Sequence, residues 1–376
     1  MVIIGPAYPL RGGIAHFNES LANDLIKAGV DTEIVSFSLQ YPAIFFPGKT
    51  QKETAPREVN VRIRPLINSV DPISWRRAAR YIFRQNPDVV LIRFWLPFLG
   101  ISLGALARKL RKRKVKVVAL VDNAIPHESR PFDASLTRYF LRACDAFITL
   151  SNEVARDVKH FVPDARIHVH PHPLYDIFGE PSTREEACAY LQLNPEKKYI
   201  LFFGFVRRYK GLDLLLEAFA LSGLKEKGVE LIVAGEFYEP RQNYAELLDK
   251  LDIESVVHVH DRYIDTSDVK HYFACASIVA QPYRTATQSG VSQIAYNFGR
   301  PMLVSNVGGL AEIVSHEEVG YVVDPEAGAI ADALQRFFNE NKEAQFSAAA
   351  LERKHLFSWQ HFTSSILHYL QEIKSS

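Results

Sequence analysis

The sequence predicts an α/β protein made of two Rossmann-like domains facing across a cleft. Short β-rich runs alternate with helix-period runs of about a dozen residues, the pattern of parallel sheets built from βαβ units. That alternation runs once to the neighbourhood of His170, crosses a stretch rich in Pro and Gly, and starts again. The 376 residues are too many for one ordinary domain and suit two.

The elements follow in order. Val2–Gly5 reads as a short strand, and Ile14, Phe17, Leu21 and Leu25 follow at helical spacing, with Gly29 where a helix would end. Glu33–Phe37 and Val59–Ile63 read as strands, Trp75–Gln85 as a helix and Val89–Phe94 as a strand. Leu99–Lys112 is helical, Val115–Val121 a strand, Ser135–Cys144 helical and Ala146–Leu150 a strand. Asn152–Phe161 closes the helices of the first half and Arg166–Val169 its strands. The segment from His170 to Pro181 reads as a linker. Beyond it, Tyr199–Phe203, Glu230–Ala234, Val256–Val259, Ile278–Ala280 and Met302–Val304 read as strands, with a helix on Leu212, Leu215, Leu216 and Phe219. Phe362, Ile366, Tyr369, Leu370 and Ile373 form an apolar stripe after the second domain should be complete. The domains expected are 1–172, joined by a returning tail helix at 360–376, and 173–359.

Composition narrows the function classes. Hydrophobic residues make up 47% and charged residues 23%, an ordinary globular mix. A net charge of +1 argues against a whole-surface field for nucleic acid. Cys144, Cys188 and Cys275 are scattered, with neither metal spacing nor a disulfide framework. The opening Met1-Val2-Ile3-Ile4-Gly5 lacks a basic leader, and the longest uncharged apolar run, Phe94–Ala107, contains Pro97 and is too short to span a bilayer. A cytoplasmic protein is expected. One local cluster stands out: Arg108, Lys109, Arg111, Lys112, Arg113, Lys114 and Lys116 end an apolar helix. Such cations are ordinarily solvated at a helix C-terminus. With Phe45-Phe46 in a loop, the sharper reading of 108–116 is peripheral contact with anionic head groups on the inner face of the membrane.

Four segments could carry chemistry. Gly12-Gly13 stands between a strand and a helix, where a bare backbone and a helix N-terminus can approach an anion. It is not the G-x-G-x-x-G fingerprint, which counts against a dehydrogenase. Gly204-Phe205-Val206-Arg207-Arg208-Tyr209-Lys210-Gly211 puts three cations between a strand and a helix. Arg207 and Lys210 read as ligands of a pyrophosphate, and Arg208 as solvated. Gln288-Ser289-Gly290-Val291 precedes a helix that Ser289 can cap. Gly308-Gly309-Leu310-Ala311-Glu312 reads as a tight turn into a short helix. His168, His170 and His172 alternate, but Pro171 and Pro173 make a linker the better reading than zinc.

Taken in order, these segments resemble the retaining family 4 of nucleotide-sugar glycosyltransferases, which has the GT-B fold. The resemblance rests on Pro6 with Gly12-Gly13, on Pro126-His127-Glu128, and on Gly204, Arg207 and Lys210-Gly211. It continues through Val233-Ala234-Gly235, Gly299-Arg300-Pro301, Gly308 to Glu312 and Gly320. It implies a metal-independent enzyme without a cofactor, taking a UDP- or GDP-linked sugar to a hydroxyl of a carbohydrate or lipid-linked acceptor in polysaccharide or glycolipid assembly. It implies that Gly13 lets its loop close on the donor, that Arg207 and Lys210 neutralise the leaving diphosphate, and that Tyr263 and Ile264 line the base pocket. His127 would stand by the reacting sugar, with Asp122 and Asn123 on the acceptor side.

One departure matters. The family carries two glutamates eight positions apart that grip ribose and sugar, whereas Tyr283 to Ala295 contains none. Backbone N–H groups at Ser289, Gly290 and Val291 are expected to bind phosphate instead, with Gln288 or Gln293 on a hydroxyl. Two other readings stay open: a non-catalytic sugar-nucleotide binding protein, and another GT-B enzyme such as a sugar-nucleotide epimerase or a phosphorylase.

Overall fold

A computed structural model describes residues 1–42, 51–53, 58–126, 130–174, 178–286 and 289–375. Two compact α/β units result. The first takes in Met1–Pro171 and Trp359–Ser376, the second His172–Ser358.

In the first unit the order is β1 (Val2–Ile4), α1 (Gly13–Lys27), β2 (Glu33–Leu39), β3 (Arg62–Asn68), α2 (Pro72–Arg84), β4 (Val89–Phe94), α3 (Gly100–Arg111), β5 (Lys116–Val121), α4 (Asp133–Leu141), β6 (Ala146–Thr149), α5 (Asn152–Phe161) and β7 (Ile167–Val169). The strands form one parallel sheet, β3-β2-β1-β4-β5-β6-β7. Helices cover both faces, so the central strands are apolar runs rather than alternating ones; every residue of β4 is buried. Helices α2, α3, α4 and α5 share one core, with Trp75, Leu103, Phe140 and Val158 in it. The opposite core holds Phe17, Leu21 and Leu25 of α1.

The second unit runs α6 (Arg184–Leu191), β8 (Lys198–Phe203), α7 (Leu212–Leu221), β9 (Val229–Ala234), α8 (Arg241–Lys250), β10 (Val257–His260), α9 (Val269–Cys275), β11 (Ile278–Gln281), α10 (Gly290–Asn297), β12 (Met302–Ser305), α11 (Leu310–Ile313), β13 (Gly320–Val323), α12 (Ala327–Asn339) and α13 (Glu343–Arg353). Its sheet is β10-β9-β8-β11-β12-β13, again parallel.

The last helix, α14 (Trp359–Ser375), belongs to the first unit. Its stripe of Phe362, Ile366, Tyr369, Leu370 and Ile373 is buried with the α1 residues. Phe17 meets Trp359 and Phe362 edge to face, at 5.0 and 5.7 Å between centroids. His168 of β7 stacks on Tyr369 at 5.1 Å, and its Nε2 lies 2.8 Å from Ser365 Oγ. The tail helix thus returns as its stripe requires. Each large apolar side chain buried there contributes about 1.5–3 kcal/mol before the entropy of ordering is set against it.

Three elements differ from the sequence reading. The third strand runs Arg62–Asn68 rather than Val59–Ile63. Its arginines and Pro65 look unlike a core strand, but β3 is the sheet's edge, where proline and charge are tolerated. Helix α6 follows the linker directly, opened by a capping box in which Thr183 and Glu186 satisfy each other's backbone N–H groups. Gly320 opens strand β13, which the sequence reading did not place. A Cβ there would collide with the Met302 carbonyl, so the glycine serves close strand pairing.

Candidate active site

In both sheets the strand order reverses beside the first strand of the unit, between β1 and β4 and between β8 and β11. Open α/β sheets take ligands at the carboxyl ends of the strands at such a point. In the second unit that places Gly204–Gly211, which follows β8, beside the segment from Pro282 to α10, which follows β11.

The two segments are fastened together. Gly211 adopts φ +65°, and a Cβ there would run into the Pro282 carbonyl oxygen, so only glycine allows this approach. Arg284 donates from both terminal nitrogens to Asp213, at 2.8 and 2.7 Å, and also to the Arg208 carbonyl at 3.0 Å. The Arg284 N–H donates to the Tyr209 carbonyl at 2.7 Å. This fork–fork pair fixes geometry as well as charge.

Arg207 and Lys210 project from the fastened loop. Lys210 Nζ lies 5.5 Å from the centre of the Tyr283 ring and covers Gly204. Burial lowers its pKa from the ordinary lysine value. The Arg207 guanidinium stands 4.7 Å from the Tyr238 ring. Among the described residues neither side chain has a hydrogen-bond or ion-pair partner. The two cations are therefore not neutralised by any described acid. Arg208 is exposed, as its solvated reading requires.

Ser289 is the N-cap of α10, and its Oγ accepts the Val291 N–H at 3.2 Å. Of the proposed backbone cradle, the Val291 donor is thus committed to the cap. Gly290 is the first residue of the helix. Gln281 and Ser292 exchange side-chain hydrogen bonds at 3.0 and 3.1 Å beneath it. Gln293 is fully buried, and neither atom of its amide has a partner among the described residues. Gln288 lies outside the described residues.

A rim of aromatic rings borders the same strand ends. Phe205, Tyr238 and Tyr263 follow β8, β9 and β10, and all three are exposed. Phe205 lies 4.9 Å from Tyr238 and 6.4 Å from Tyr263 between centroids. Ile264 is buried beneath. Phe205 and Tyr238 were not singled out in the sequence, although an aromatic residue just past two successive strands is a signal that could have found them.

In the first unit, Gly12 takes φ +117° as the N-cap of α1, and Gly13 is the first helical residue. The loop before them is tied down. Asn18 donates to the Pro6 carbonyl at 2.8 Å, and Glu19 accepts the Tyr8 N–H at 2.7 Å. Asp122 follows β5 but is buried rather than open to an acceptor. It accepts from Arg93 Nε at 2.6 Å and Nη2 at 2.5 Å. Asn123 beside it is half-buried. His127 lies outside the described residues.

Known proteins match the chain along most of its length. The family model described as Glycosyltransferase Family 4 matches residues 11–174, and the one described as Glycosyl transferases group 1 matches 197–340. D-inositol 3-phosphate glycosyltransferase of Pseudarthrobacter chlorophenolicus is 24% identical over 354 residues, covering 88% of this chain and 82% of the relative. The Mycobacterium marinum protein of that name is 32% identical over 219 residues, 55% of this chain and 45% of the relative. Among solved structures, sucrose-phosphate synthase from Thermosynechococcus elongatus superposes with a TM-score of 0.75 at 17% identity, covering 100% of this chain and 99% of that one. Anabaena HepE in complex with UDP superposes at 0.73 and 14% identity, covering 99% of each chain.

Proposed function

We propose that the chain, a glycosyltransferase with the GT-B fold, takes a sugar from a UDP- or GDP-linked donor to an acceptor hydroxyl and retains the anomeric configuration. The observation that carries the donor class is the pair of cations, Arg207 and Lys210, held without an anionic partner among the described residues at the sheet reversal of the second unit. The bond from the sugar's anomeric carbon to the diphosphate breaks, and its electron pair leaves on the phosphate oxygen. The acceptor oxygen bonds that carbon on the same face, and its proton passes to the departing phosphate. Preorganised cations stabilise the charge that grows there. Phe205, Tyr238 and Tyr263 offer flat faces to the base, with Ile264 beneath. The acceptor is a carbohydrate or lipid-linked sugar, and the basic segment 108–116 brings the protein to the membrane surface. Incubation with candidate donors and a water-soluble acceptor, with the product anomer read by NMR, tests the reaction. An inverted product would overturn the stereochemistry, and absence of nucleotide diphosphate release with every donor would overturn the transfer.

Turnover is expected to survive exhaustive chelation. Arg207, Lys210 and the first turn of α10 supply the charge that a cation supplies elsewhere. Loss of activity on chelation, restored by magnesium or manganese, would show that this charge is insufficient.

The first turn of α10 gives a second prediction. Gly290→Val is expected to raise the donor dissociation constant about tenfold or more, because its side chain obstructs approach to the helix N-terminus. Ser289→Ala removes the cap on Val291 and is expected to cost about 1 kcal/mol of stability, with little change in affinity. Calorimetric titration with the nucleotide diphosphate separates them. Tight binding by a folded Gly290→Val variant would leave the helix terminus without a role in the donor site.

A further inference from the structure

Helix α2 carries Arg76, Arg77, Arg80 and Arg84 and no acid. All four are exposed, and none has a hydrogen-bond or ion-pair partner among the described residues. They share one helix face with Ile73 and Phe83, since residues 73, 76, 77, 80, 83 and 84 follow at the spacing of a single outer stripe. Ile73 is 56% exposed and Phe83 40%. The buried residues of α2, among them Trp75, Ala78, Ala79 and Ile82, lie on the other side.

Helix α3 extends this surface. The Arg113 guanidinium, just past its end, stands 4.8 Å from the Phe83 ring and links the two helix ends. Segments 72–84 and 100–116 together hold eleven cations and no Asp or Glu, in a chain whose net charge is only +1. The acids that border them are already committed. Asp71 caps α2 through the Ile73 N–H at 2.9 Å, Asp145 pairs with Arg111 at 2.8 Å, and Glu33 accepts from Tyr81 at 3.0 Å. The segment that stands out in the sequence, 108–116, is itself partly engaged. Arg108 donates to the Gly104 and Tyr139 carbonyls and lies 3.7 Å from the Tyr139 ring. The arginines of α2 have no such partner among the described residues.

We infer that the outer face of α2, continued by the basic end of α3, docks this protein on an anionic bilayer surface. The inference deepens the reading of the protein as peripheral to a membrane and is independent of its chemistry. Lipid phosphates supply the negative charge that Arg76, Arg77, Arg80 and Arg84 lack among the described residues, and near such a surface each cation adds to binding. Ile73 and Phe83 add apolar contact at the same surface. A nucleic acid would engage the arginines but has no use for exposed aliphatic side chains among them. A bilayer interface takes both.

Sedimentation with vesicles of phosphatidylcholine, with and without phosphatidylglycerol, tests the inference on the full chain. Binding is expected only with the anionic lipid and is expected to weaken as salt rises. The variant carrying Arg76→Ala, Arg77→Ala, Arg80→Ala and Arg84→Ala is expected to lose about a hundredfold or more in partition coefficient. Ile73→Asp alone is expected to weaken binding as well. Donor turnover with a soluble acceptor should stay unchanged in both variants, because exposed helix substitutions of this kind leave the fold intact. Equal partition of wild type and the four-arginine variant would overturn the role of α2. Equal binding to neutral vesicles would overturn the charge argument. Absence of vesicle binding in the wild type, or arginine-dependent binding of RNA or self-association in its place, would overturn the membrane inference while leaving sugar transfer standing.

Discussion

Lys210→Ala is expected to lower turnover at saturating donor by about a hundredfold or more, in a protein that stays folded. The ammonium group is held over Gly204 beside the Tyr283 ring and has no ion-pair partner among the described residues, so its removal breaks no salt bridge. On the proposed assignment, what disappears is a positive charge placed where the departing diphosphate would gather negative charge. Such a loss falls on the transition state more than on the bound donor, so kcat should drop further than KM rises. The protonation state gives an independent check. Burial lowers the Lys210 pKa, and only the protonated amine attracts the diphosphate. Donor affinity should therefore hold below that pKa and fall as pH rises through it, earlier than an ordinary lysine would dictate. Lys210→Arg, whose charge does not titrate in this range, should remove that limb of the profile. Wild-type turnover in Lys210→Ala would mean that another group neutralises the leaving diphosphate.

The sequence carried most of the fold because its signals were local. The apolar run Val89–Phe94 is strand β4 residue for residue, and the stripe from Phe362 to Ile373 declared a helix with no partner left in its own unit. The glycine turns before α1 and α7 were equally readable, since Gly12 and Gly211 take positive φ, which glycine adopts without strain. What stayed hidden depended on distant partners. Arg93 lies inside an apolar run, and its acid stands 29 positions away; no periodicity links them. Asp122 consequently read as an acceptor contact, although its carboxylate is occupied by a guanidinium. The arginines of α2 stood out only once the fold set the basic end of α3 beside them, with Arg113 against the Phe83 ring. In the donor segment, missing glutamates were visible as an absence, but the Gln281–Ser292 pair that underlies α10 was not.

Asp122→Ala is expected to destabilise the first unit by about 3–5 kcal/mol, because it leaves a buried guanidinium without its counter-ion. Arg93 is only 3% exposed, and its Nη1 already lacks a partner among the described residues. The guanidinium is also packed 3.9 Å from the centre of the Phe17 ring, so it cannot be rehydrated without disturbing the helix that Gly12 and Gly13 begin. All three tryptophans, Trp75, Trp95 and Trp359, belong to the first unit. Tryptophan fluorescence during urea unfolding therefore reports on this unit alone. Replacing both partners with apolar side chains, Arg93→Met with Asp122→Leu, should recover most of the stability, since a buried ion pair repays little more than its own desolvation. The double variant also separates two roles for Asp122. If the carboxylate only balances Arg93, sugar transfer should return along with stability. If Asp122 also contacts the acceptor, the double variant should unfold like wild type yet keep a raised acceptor KM. An Asp122→Ala protein that unfolds at the wild-type urea concentration would mean that water or another group reaches Arg93, and that the pair does not hold the unit together.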